Sequence, residues 1–122
     1  MILIFDYDQT IVKNSWPEVG EFRWLARPIL KWLKRLGITL ILSTCREDHP
    51  EKGEIYLTEA ICHLNNEGVE FDYYNENCKE LIERFGDCRK IAGDFLFDDK
   101  AGFWGWWTVP FIVFWLKLRG VK

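Results

Sequence analysis

The chain has 122 residues, 48% of them hydrophobic, and a formal net charge of −3. That is one domain with enough apolar mass for its own core, and its overall charge does not favour a nucleic-acid partner. The cysteines Cys45, Cys62, Cys78 and Cys88 stand far apart, without a CxxC pair or a histidine cluster, which argues against zinc and disulfide frameworks and for reduced thiols.

The opening apolar run lacks a basic lead and is too short for a secretory signal, so a cytoplasmic location is expected. Phe103 to Leu116 is the stretch nearest to a membrane segment, yet it has 14 residues broken by Gly105, Thr108 and Pro110. A helical span requires roughly 20, so no transmembrane helix is expected.

Met1 to Phe5 reads as a buried strand that stops at Asp6. If the strand geometry persists, Asp6 and Asp8 share a face. Like charges at that range raise each other's pKa unless a cation lies among them, so the pair suits a metal site or a nucleophile beside an acid. After a loop around Asn14 to Gly20, Ala26 to Gly37 reads as a helix with proline in its first turn and glycine as its stop. Ile29, Leu30, Leu33 and Leu36 form its inward stripe.

Ile38 to Leu42 is a second buried strand, followed by Ser43-Thr44-Cys45-Arg46. Asp48 to Gly53 is a polar loop, and Ile55 to Asn66 has helical spacing through Leu57, Ile61 and Leu64. Val69 to Tyr74 reads as a third, shorter strand, and Asn77 as the cap of a brief helix from Lys79 to Phe85. Phe95-Leu96-Phe97 is a compact strand running into Asp98-Asp99. Trp106 to Val109 adds a last strand before a terminal helix from about Pro110 to Leu118.

Strands alternating with helices imply an α/β fold, a three-layer Rossmann-like parallel sheet in one domain spanning residues 1–122. Parallel strands place their C-terminal ends on one edge, where such sheets bind ligands. Asp6 with Asp8, Thr44, and Asp98 with Asp99 therefore converge there. Lys90, or in another register Arg89, lies a few residues upstream of the last of these strands and reaches over the same edge.

The order Asp6-Tyr7-Asp8-Gln9-Thr10, Thr44, Lys90, Asp98-Asp99, each acid or threonine after an apolar strand, resembles the four motifs of the haloacid dehalogenase (HAD) superfamily of phosphohydrolases, from Ile2 to Asp99. The resemblance implies a magnesium-dependent phosphatase in which Asp6 attacks phosphorus and becomes an aspartyl phosphate. Asp8 would then serve as general acid and base. Mg2+ would be held by the Asp6 carboxylate, the Asp8 backbone carbonyl and the Asp98 carboxylate. Thr44, with Ser43 as rival, would bind a phosphoryl oxygen, and Lys90 would supply fixed positive charge. Asp99 would support the ligands from behind. Thr10 and Arg46 are weaker candidates, Arg46 for a second anionic group on the substrate.

Two features depart from that family. Gln9 stands where glycine is common, and a positive φ there costs a residue with a side chain about 1 kcal/mol or more. The 33 residues of 11–43 and the 45 of 45–89 are consumed by core elements, which leaves no room for a folded cap. Only Asn14 to Gly20 and Glu47 to Tyr56 remain as partial cover. The substrate class is accordingly a phosphorylated small molecule or the phosphorylated end of a macromolecule, and a polynucleotide-end phosphatase is one form of the latter.

A rival reading is a binding protein that keeps the fold without the catalysis. Trp104, Trp106, Trp107, Phe111, Phe114 and Trp115 precede Lys117, Arg119 and Lys122, and no acid follows Asp99. Aromatics with cations stack on bases or sit at membrane surfaces; the same rings also suit the core, or a homo-oligomer interface through the C-terminal segment. His49 and His63 have no spacing partner, and Cys45 reads as inert.

Overall fold

A computed structural model describes residues 1–87 and 90–122; Cys88 and Arg89, and with Arg89 the alternative register for the motif lysine, lie outside the described residues. The elements in chain order are β1 (Ile2–Phe5), α1 (Ala26–Arg35), β2 (Thr39–Leu42), β3 (Asp48–His49), β4 (Glu54–Ile55), α2 (Tyr56–Asn66), β5 (Tyr73–Tyr74), α3 (Lys79–Phe85), β6 (Phe95–Phe97) and α4 (Val109–Leu118).

Four strands form a parallel sheet in the order β5-β2-β1-β6, flanked by helices, as the alternation of elements implies. Phe5 is level with Leu42 on one side and Phe97 on the other. That register brings the three strand exits together: the Ser43 amide donates to Phe5 O at 2.8 Å and the Asp6 amide to Phe97 O at 3.0 Å.

Leu3, Phe5, Leu40, Leu42 and Phe97 face a single apolar cluster with Ala26, Leu30 and Leu33 of α1, Ala60 and Leu64 of α2, and Val113 and Leu116 of α4. Phe5 is stacked between Phe97 and Trp106, with ring centroids at 4.6 and 5.1 Å. Strand alternation sends Ile4 and Ile41 to the other face, where they are equally buried. The chain entering β6 lies against that face, with Gly93 packed on Ile2 and Ile4.

Several expectations change on contact with the tertiary structure. Leu36 is exposed because α1 ends at Arg35 and the chain turns away at Gly37, which has a φ of +75°. β5 has two paired residues rather than six: the Asp72 carboxylate accepts from the Leu40 amide at 2.8 Å, occupying a donor that strand pairing would use. The polar loop after Arg46 contains the small antiparallel ladder of β3 and β4.

Asn77 does not cap α3, which starts after Cys78 without a side-chain cap. Its buried amide instead accepts from the Ala92 N–H and donates to Lys90 O. Trp106–Thr108 is a 3₁₀ turn rather than a strand, and it leads directly into α4 with Pro110 in the first turn, where its missing N–H costs nothing. Among the described residues no helix is long and apolar enough to cross a membrane.

Candidate active site

Asp6 leaves β1 beside the end of β6, and its carboxylate meets those of Asp98 and Asp99, one oxygen from each lying within 4.8 Å of the others. Burial pushes the Asp6 carboxyl up to about 7, with the negative charge of Asp98 and a hydrogen bond with Asp99 adding to it, while the Tyr7 amide pulls the other way. A cluster that cannot carry its full negative charge alone, built only from hard oxygen donors, fits a divalent cation such as Mg2+. Asp99 belongs to this cluster, whereas a position behind the ligands was expected of it. A 3₁₀ turn begins at Asp99 and breaks the strand alternation that would have sent it away from Asp98.

Thr10 ties the two acidic motifs together. The chain after Asp6 winds into a tight turn in which the amides of Thr10, Ile11 and Val12 all donate to Tyr7 O. The turn buries Thr10 completely. Its hydroxyl accepts from the Asp99 amide at 2.9 Å and reaches Asp6 Oδ2 at 3.4 Å. Its carbonyl takes the Trp106 indole N–H at 2.8 Å, so the tryptophan that stacks on Phe5 also anchors the site. Gln9, at the tip of this turn, has a φ of +66°, the left-handed conformation anticipated for a glycine position.

Asp8 is engaged elsewhere. Both of its carboxylate oxygens accept from Arg46, Nε and Nη2 each at 2.8 Å. Arg46 is buried and also donates to Pro17 O and Glu18 O, with its guanidinium 5.0 Å from the Tyr7 ring centroid and 4.9 Å from that of Trp16. Burial works against the charged guanidinium, but the hydrogen bonds and negative charge of Asp8, together with smaller contributions from Tyr7 and Glu59, raise its pKa. This corrects the assignment of Arg46 to a substrate anion: it holds Asp8 and the 14–20 segment instead.

Thr44 follows β2 on the same edge, with its amide held by Asn75 Oδ1 at 2.7 Å. Its hydroxyl oxygen accepts from the Arg46 amide at 3.1 Å, which leaves the hydroxyl proton available to a ligand. Lys90 is exposed, and its carbonyl is fixed by the Asn77 amide at 3.0 Å. The negative charges of Asp98 and Asp99 act on Asp6. A hollow of about 390 Å³ opens beside Asp8, lined by Gln9, Asn14, Trp16, Cys45 and Arg46.

Three supporting contacts had no local signal in the sequence. The Tyr7 hydroxyl lies 2.8 Å from His63 Nδ1. Burial pushes Tyr7 up to about 12 and His63 down, favouring the neutral form of each. The Asn75 contact with Thr44 and the Trp106 contact with Thr10 likewise join residues distant in the chain.

No protein-family model and no curated protein matches this chain. A conserved protein of solved structure from Bacteroides thetaiotaomicron is similar to it, with 30% sequence identity and a TM-score of 0.76 over 100% of this chain and 92% of that one. On that identity and coverage, the chain belongs to the same family as the conserved Bacteroides thetaiotaomicron protein.

Proposed function

We propose that the chain is a magnesium-dependent phosphohydrolase of the HAD type, cleaving a phosphate monoester through an aspartyl phosphate on Asp6. The observation that carries this reading is the meeting of Asp6 with Asp98 and Asp99 at the carboxyl edge of a parallel sheet, in the order and strand context of the HAD motifs. Thr44 exits the neighbouring strand with a hydroxyl proton to offer.

Asp6, Asp98 and Asp99, with the backbone carbonyl of Asp8, would hold Mg2+, which when bound neutralises charge between an anionic nucleophile and an anionic phosphate. An Asp6 oxygen attacks phosphorus as the ester oxygen departs, taking a proton from Asp8. In the second step Asp8 withdraws a proton from water, which attacks the same phosphorus and frees Asp6. Thr44 donates to a phosphoryl oxygen, and Lys90 supplies a positive charge to the transferring group.

Asp8 accepting at both oxygens from Arg46 has the form needed for the second step. Proton donation in the first requires it to leave that two-point contact as the ester enters. The hollow beside Asp8 has Trp16 on its wall, and the four donor contacts of Arg46 are already taken by Asp8, Pro17 and Glu18. These features favour an uncharged leaving group and a small phosphorylated molecule.

The test is release of p-nitrophenol from p-nitrophenyl phosphate with magnesium and with chelator, beside Asp6→Asn. Turnover that needs magnesium and vanishes in the variant is expected; turnover unchanged by the variant would overturn the assignment of the nucleophile. Binding of a 5′-phosphorylated oligonucleotide should be weak, with little salt dependence. A steep loss of affinity with salt would instead favour a polynucleotide end as substrate.

A further inference from the structure

The C-terminal helix is apolar on two sides. Val109, Val113 and Leu116 face the core of the domain, while Phe111, Phe114, Trp115 and Leu118 face outward. Trp107 continues the outer stripe from the preceding turn, with its ring edge-on to Phe111 at 6.5 Å. A helix with apolar residues all round is one buried on all sides, yet Phe111 is 69% exposed and Leu118 71% exposed.

The spacing of the outer stripe is informative. Trp107, Phe111, Phe114 and Leu118 follow one another at intervals of four, three and four, the seam of a helix that packs lengthwise against another helix. In the same register Val109, Ile112, Val113 and Leu116 occupy the opposite face, which the domain already covers. The stripe is therefore a second packing surface and not surplus core.

Its size fits a stable partner. At about 200 Å² for each aromatic side chain, the exposed parts of Trp104, Trp107, Phe111, Phe114 and Trp115 amount to roughly 600 Å² before Leu118 is counted. A standard interface takes about 800 Å² from each partner. At β6, an edge strand of the sheet, a groove of about 280 Å³ between Leu96, Phe103, Trp104 and Ile112 can receive a side chain from outside.

We propose that a second copy of this chain covers the stripe, in a two-fold dimer with the two α4 helices packed antiparallel. Charge sets the direction. Lys117, Arg119 and Lys122 cluster at one end of the helix and no acid follows Asp99. Parallel pairing would bring these cations side by side, while antiparallel pairing separates them and opposes the helix dipoles. About the two-fold axis, Phe111 meets the partner's Phe114 and Trp107 meets the partner's Leu118. This inference stands on different residues from the phosphatase reading and survives its failure.

Size-exclusion chromatography with light scattering should give twice the chain mass of 14.6 kDa. Phe111→Lys and Phe114→Glu should each give the single mass with unchanged circular dichroism, because both positions are exposed. Mixed in equal amounts, the two variants should dimerise again, since antiparallel pairing sets each lysine against a glutamate. Trp107→Lys with Leu118→Glu forms the same complementary pair should either first variant fail to fold.

A monomeric wild type overturns the proposal. Co-sedimentation of that monomer with vesicles of equal phosphatidylcholine and phosphatidylserine would assign the face to a membrane surface instead. Single variants that stay dimeric overturn the interface, and a mixture that stays monomeric overturns the antiparallel arrangement.

Discussion

Arg46 and Asp8 face each other side-on across 38 residues of sequence, with two 2.8 Å bonds between a guanidinium that is 1% exposed and a carboxylate that is 23% exposed. Removing one partner of such a pair leaves a charge without its complement. Because Asp8 keeps some contact with solvent, either single change should cost about 2–4 kcal/mol, at or below the range for fully buried pairs. Arg46→Met also releases Pro17 O and Glu18 O, loosening the 14–20 segment. In urea denaturation, the double variant Asp8→Asn with Arg46→Met should cost less than the two singles added together, by about 1–3 kcal/mol. Strict additivity would show that the pair is not coupled.

The Asp6 carboxyl makes stability depend on pH with a definite sign. Its pKa is about 7 in the folded chain against an ordinary 3.8. Between those values the folded chain keeps a proton that the unfolded chain has given up, so stability falls as pH rises from about 4 to 7 and the dependence ends above that. Asp6→Asn removes this contribution. Without metal, the melting temperature of the wild type relative to Asp6→Asn should decline across that window. Magnesium at pH 7.5 should raise the wild-type melting temperature and leave the variant's nearly unmoved. A difference between the two proteins that stays flat with pH would contradict the crowded, half-buried acid cluster.

Gln9 sits at a φ of +66° with its carbonyl bonded by Arg23 Nη1 at 3.1 Å. The left-handed conformation costs a residue with a side chain roughly 1–2 kcal/mol, and glycine returns part of that through its flexible unfolded state. Gln9→Gly should therefore stabilise the chain by about 0.5–1 kcal/mol in chemical denaturation. A loss of stability would mean that the Gln9 side chain contributes more than the backbone strain costs.

The central sheet was legible because β1 and β2 are buried on both faces and all three of β1, β2 and β6 read as continuous apolar runs, although Leu96 of the edge strand β6 is exposed. The acids after β1 and β6 and Thr44 after β2 then marked the candidate edge. Elements decided by distant side chains were not legible. Asp72 shortens β5 by capturing the Leu40 amide, and Trp106 turns the chain into a 3₁₀ turn because its indole bonds Thr10 O, 96 residues away. Arg46 is next but one to Thr44, which invited a role at the substrate. Only the fold brings Asp8 and the carbonyls of Pro17 and Glu18 around it. That Asp99 stands beside Asp98 was not legible for a local reason, since strand alternation holds through Asp98 and stops there.

Thr10 offers the sharpest separation between structural support and chemistry. Its hydroxyl accepts the Asp99 N–H at 2.9 Å and points toward Asp6 Oδ2 at 3.4 Å, a long and weak contact. Its main service is thus to the position of Asp99. Thr10→Val keeps the volume and the methyl group but leaves the Asp99 amide without its acceptor, at a cost of about 1–3 kcal/mol. Groups that orient metal ligands typically change metal affinity by about 10–100-fold when removed. Thr10→Val should therefore weaken magnesium binding, measured by calorimetry, by about tenfold or more, while Thr10→Ser, which restores the hydroxyl, should bind nearly as wild type. If valine and serine variants bound magnesium alike, Thr10 would serve packing alone, and the hydroxyl would have no part in holding the three aspartates together.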